Sequence, residues 1–149
     1  MSAWSLLTAT AVLPTDLVTA GVVAAVGQVA AGRRPQGVTD QRGEVLLERL
    51  PAATEGSGLQ HVTTCPIRFR VRTGRGNAGG DKTGAAQLAT LEAKLATIRD
   101  RYRASMRFVA VTGLTGSLPA SASEVVVDDD PEDEAVLTGY VDVTFRLKE

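Results

Sequence analysis

The chain has 149 residues, 44% of them apolar and 22% charged, which fits one globular domain and excludes wholesale disorder. A single cysteine, Cys65, excludes an internal disulfide framework and a Cys-rich zinc site, and a single histidine, His61, excludes multi-histidine metal centres. Net charge is −1, but it is unevenly spread: residues 1–32 carry only Asp16, residues 33–107 sum to +7 and residues 108–149 to −7. Such a dipolar chain lacks the even basicity of a dedicated nucleic-acid binder.

Residues 17–31 (LVTAGVVAAVGQVAA) form an apolar run. No basic residue precedes Arg33, as a secretory signal requires, and the run falls short of the ~20 residues that span a bilayer. The expectation is an intracellular chain with no membrane segment and a free Cys65. Thr15 is suited to cap a helix over about residues 16–31, with Pro14 halting any preceding helix and Gly32 closing this one. Asp16 then lies in the first turn, where a negative charge suits the helix dipole. That helix is apolar nearly all round, so Val22 and Val26 are expected at a contact with another subunit.

Residues 33–43 (RRPQGVTDQRG) read as a polar loop, and 44–50 (EVLLERL) fit a strand or a helix equally. Ile67, Phe69 and Val71 then alternate with Arg68, Arg70 and Arg72, which predicts a strand with one buried face. Those arginines could grip phosphates, yet no aromatic residue interleaves with them for base stacking. A solvated face paired across the sheet with Asp142 is favoured, and an acidic partner on a neighbouring subunit comes second. His61 and Cys65, four apart on the same strand, lie ~13 Å from one another, too far for a Cys–His nucleophile.

Five glycines in residues 73–84 (TGRGNAGGDKTG) indicate a flexible loop. Gly80, Lys82 and Thr83 resemble a phosphate loop, but Asp81 interrupts the required contiguity and sets a carboxylate where phosphate would sit. No nucleotide or other cofactor is expected. Leu88, Leu91, Leu95, Ile98 and Tyr102 draw one apolar stripe, predicting a helix over 85–103. Strands are expected at 106–112, with Phe108 and Val109 in the core, and at 124–127, separated by a loop over 113–121. Residues 128–134 (DDDPEDE) form an acidic turn without EF-hand spacing, and Val141, Val143, Phe145 and Leu147 close the chain in a strand. The resulting class is α+β: a single-domain sandwich of two principal helices on a mainly antiparallel sheet.

This element order, with the segments HVTTCPIRFRVRT, AAQLATLEAKLATIRDRY and DDDPEDEAVLTGYVDVTFRLKE, resembles the tail-terminator and tail-completion (neck) proteins of tailed bacteriophages. The resemblance implies a homo-oligomeric ring, often of six subunits, that caps the tail tube and joins it to the neck. Its partners would be itself, the tail tube protein and the neck or connector proteins. DNA would pass through the lumen without specific binding, and the protein would reside in the virion after assembly in the host cytoplasm. It offers no catalytic residue to carry over, and composition and motif spacing already lead to the expectation of no enzyme activity, no metal and no cofactor. On a ring, Asp128, Asp129 and Asp130 would face the lumen or dock on a neighbour's Arg68, Arg70 and Arg72. A second head–tail connector component is the near alternative; a small nucleic-acid-binding domain using the arginine stripe, or a small enzyme using the glycine-rich loop, is the more distant one.

Overall fold

Alternation of Cys65, Ile67, Phe69 and Val71 with Pro66, Arg68 and Arg70 gives the second half of β4 (Gln60–Arg72) one apolar face, and all four apolar members are buried. The computed structural model describes residues 3–9, 12–32, 45–50, 53–57, 60–72, 85–103, 117–130 and 133–148. The expected polar loop 33–43, the glycine-rich loop 73–84 and the strand at 106–112 with Phe108 and Val109 lie outside these residues. β4 pairs antiparallel with β7 (Asp133–Lys148) over an unbroken register from Val62 opposite Lys148 to Arg72 opposite Thr138. Around this central pair lie β1 (Val29–Ala31), β2 (Val45–Arg49), β3 (Ala53–Ser57), β5 (Ser117–Ala122) and β6 (Val126–Asp130).

These seven strands form one sheet in the order β1-β2-β4-β7-β5, with β3 also paired to β4 and β6 to β7. Among the described residues, every pairing is antiparallel except β1 with β2. Proline is poorly tolerated inside a sheet because it has no N–H for the ladder. Pro66 fits because β3 pairs with residues 60–64 and β2 with residues 67–71, so it falls at the changeover. Its carbonyl still accepts from the Leu50 amide at 3.1 Å.

α3 (Ala85–Arg103) lies across the apolar face, and its stripe of Leu91, Leu95, Ile98 and Tyr102 is fully buried against Phe69, Val141, Val143 and Phe145. Leu88, the first member of the stripe, is 36% exposed at its margin. Tyr102 sits between Phe69 and Phe145, with ring centroids 5.2 and 5.5 Å away, so a large share of a sparse aromatic complement fills one centre. The α+β class, with helices on a mainly antiparallel sheet, is as expected.

The N-terminal region departs from expectation. The helix expected over 16–31 is α2 (Leu13–Thr19), preceded by a further short helix, α1 (Ala3–Thr8). Thr15 is not the cap: Val12 precedes the helix, and Pro14 sits in the first turn, where its missing N–H leaves no bond unmade. Termination at Thr19 follows from Gly21, whose φ of +79° is left-handed. The Gly21 amide donates to Val18 and the Val22 amide to Leu17, both at 3.0 Å, which is the double bond of a Schellman motif. Val22 then folds back beside Leu17, and both are buried. The chain continues through a 3₁₀ turn (Val26–Gln28) into β1, so Gly32, with φ of +105°, closes a strand rather than a helix.

Two further expectations shift. The ambiguous 44–50 stretch is strand β2, and part of the expected 113–121 loop is strand β5. Pro119 hides that strand in the sequence, and the β5–β7 register slips between Leu118 and Ser121, where the proline falls. β6 starts two residues later than expected and takes in Asp128, Asp129 and Asp130, with Asp130 opposite Asp133. The acidic turn is thus shorter than residues 128–134, and most of the acids are strand residues.

Candidate assembly surfaces

The second face of β4 points away from α3 and carries Arg68 and Arg70. Asp142 stands directly opposite Arg68 in the β4–β7 register. Its carboxylate accepts from Arg68 Nε at 2.8 Å and from Nη2 at 3.1 Å, a two-pronged contact. Arg70 Nε donates to Glu48 Oε1 on β2 at 3.0 Å. Tyr140 lies against both guanidinium groups, with Arg68 Cζ 4.0 Å and Arg70 Cζ 5.3 Å from its ring centroid. The hydrogen bond to Asp142 is the chief cause that raises the Arg68 pKa above its ordinary value. The expected cross-sheet pairing with Asp142 is therefore present, extended by Glu48 and Tyr140.

Arg72 does not share this surface. It is 6% exposed, so the stripe of three surface arginines reduces to Arg68 and Arg70. These two already hold carboxylates of their own chain, and a phosphate or an acidic neighbour would have to displace Asp142 or Glu48. That exchange returns little, because one carboxylate replaces another and partly exposed ion pairs contribute only about 1 kcal/mol.

The structure also separates Val22 from Val26. Val22 is 2% exposed and belongs to the core of its own chain, so its own subunit covers it without a partner. The short helix and the turn at Gly21 let α2 and the following residues bury Leu13, Leu17, Val22 and Val23 internally. Val26, at 38% exposure, remains available for a contact. Val126 and Val127 of β6 are similarly exposed, at 39% and 36%, immediately before the acidic residues 128–130.

His61 and Cys65 both lie on β4, where Cys65 is buried and faces its strand partner Phe145. Burial pushes the Cys65 thiol up, opposed in part by the positive charge of Arg49. A raised thiol pKa favours the protonated folded state, so this contribution to stability is complete below the unfolded pKa near 8.5 and is lost as pH rises through the folded value. Iodoacetamide at pH 8 is expected to leave Cys65 unmodified in the native protein and to alkylate it in urea; rapid native labelling would contradict the burial. Among the described residues, no group of three His, Cys, Asp or Glu side chains is placed to hold a metal, and no helix is long and apolar enough to cross a membrane.

A polar contact absent from the expectations ties the helices together. Asp16 of α2 accepts from Arg101 Nε at 2.7 Å, from Arg101 Nη2 at 2.6 Å and from the Tyr102 hydroxyl at 2.8 Å. The Arg101 and Asp16 side chains are only 15% and 16% exposed. The hydrogen bond to Asp16 is the chief cause that raises the Arg101 pKa. Asp16 is the sole charge in the first 32 residues, and that isolation was the available signal. Helix-dipole complementarity explains its place in the first turn but not its partners.

Helices on one face of a single, mainly antiparallel sheet define the fold. No family model matches the chain, and no curated protein matches it in sequence. In three dimensions the chain is similar to one from the virion of a native gene transfer agent particle, with a TM-score of 0.55 and 11% sequence identity. The likeness covers 89% of this chain and 84% of that one, so it is a likeness of the whole arrangement of elements rather than of one shared motif.

Proposed function

We propose that this chain is a non-enzymatic structural protein of a phage-like virion. Each subunit is a single domain, and the subunits form a ring, of six copies, at the end of the tail tube or at the head–tail junction. The ring caps the tube and joins it to the neck, with the tail tube protein and the neck or connector proteins as partners. The observation that carries this reading is the likeness over 89% of the chain to a component of the gene transfer agent virion. The resemblance of the closing hairpin and the amphipathic helix to tail terminators supports the finer assignment. Another head–tail connector or minor tail component is the alternative within the same class. A nucleic-acid-binding domain is less well supported, because Arg68 and Arg70 are engaged by Asp142 and Glu48.

Within the ring, the acidic strand and hairpin are assigned to the channel. Residues 124–134 hold seven acids and no base, a density that would repel DNA phosphates and keep the passing genome from sticking. Docking of these acids on a neighbour's Arg68 and Arg70 would exchange one carboxylate for another and so gain little. Changing Asp128, Asp129 and Asp130 together to Asn separates the two arrangements. Light scattering is expected to give the same oligomer mass for the variant and the parent, at both 0.05 M and 0.5 M salt. Loss of the oligomer in the variant, or in the parent at high salt, would instead place these acids at a subunit contact, since docking weakens as the Debye length shortens from about 10 Å at 0.1 M.

A further inference from the structure

We draw no further inference here: the strongest candidate, the exposed Val126 and Val127 of β6 beside the acidic residues 128–130, carries nothing because nothing in the structure shows what covers it.

Discussion

Replacing Asp16 with Ala is expected to destabilise the protein by about 3 kcal/mol, one of the largest effects of any single polar substitution in the described residues. The carboxylate satisfies two N–H groups of Arg101 and the hydroxyl of Tyr102, whose side chain is fully buried. Alanine leaves a guanidinium with little access to water and takes from the buried phenol the carboxylate that accepts its hydroxyl at 2.8 Å. Breaking a fully buried pair costs about 3–5 kcal/mol, and the residual exposure of both side chains places this site at the lower end. For a chain of this length, the loss corresponds to a fall in Tm of roughly 6–12 °C. Asp16→Asn, which keeps one acceptor oxygen, should fall between Ala and the parent. A thermal melt of Asp16→Ala within about 1 °C of the parent would show that α2 is held to α3 by apolar packing alone.

Gly139→Val is expected to be at least as costly, by a different route. A Cβ added at Gly139 would stand 2.5 Å from Leu95 Cδ1 and 2.8 Å from the carbonyl oxygen of Val126. The leucine can swing aside, but the carbonyl belongs to the β6 backbone opposite β7, so the hairpin itself must shift. Overpacking of this kind costs about 1–3 kcal/mol for one methyl, and the two further methyls of valine add to it. Gly139→Ala should therefore lose about 1–3 kcal/mol and Gly139→Val more than 3 kcal/mol in urea unfolding. Leu95→Ala carries its own cavity cost of about 2–5 kcal/mol, so Gly139→Ala is compared with Gly139 in that background, where it should still lose stability because only the side-chain contact has been relieved. No further loss in that background would locate the strain in Leu95 and leave the strand pairing unaffected.

Both sites show what a sequence can carry and what it cannot. Periodicity exposed β4, β7 and α3 because each has one buried face, and alternation or a three-four spacing is the direct imprint of that geometry. The same logic failed in the N-terminal run, where apolar residues on all sides left no phase. There the decisive signal was backbone conformation at Gly21, and a glycine in the middle of an apolar run reads equally as a packing contact or as a helix end. β5 was hidden because SLPASA has neither bulky β-formers nor alternation; its pairing with β7 overrides weak local preference.

At the candidate surfaces, Arg68 opposite Asp142 was legible, since strand alternation places charges on one face and a closing strand offers the partner. The role of Glu48 and Tyr140 was not, because both come from register between strands distant in sequence. Arg72 failed for the same reason: parity places a residue on a face but says nothing about what closes over it. Val22 and Val26 have like chemistry and differ only in where the turn at Gly21 sends the chain. The clasp at Asp16 joins residues 85 positions apart, beyond the reach of any local pattern.

The proposed ring at the virion tail is tested most directly by electron microscopy of intact particles that carry a bulky tag fused to this chain. The account predicts extra density at one site per particle, at the end of the tail tube or the head–tail junction, with six-fold repetition around the tube axis. The same particles should show the lumen open at that level, with the segment around residues 128–130 facing it. Tag density distributed along the tail or over the head, or particles that lack the chain altogether, would contradict the assignment.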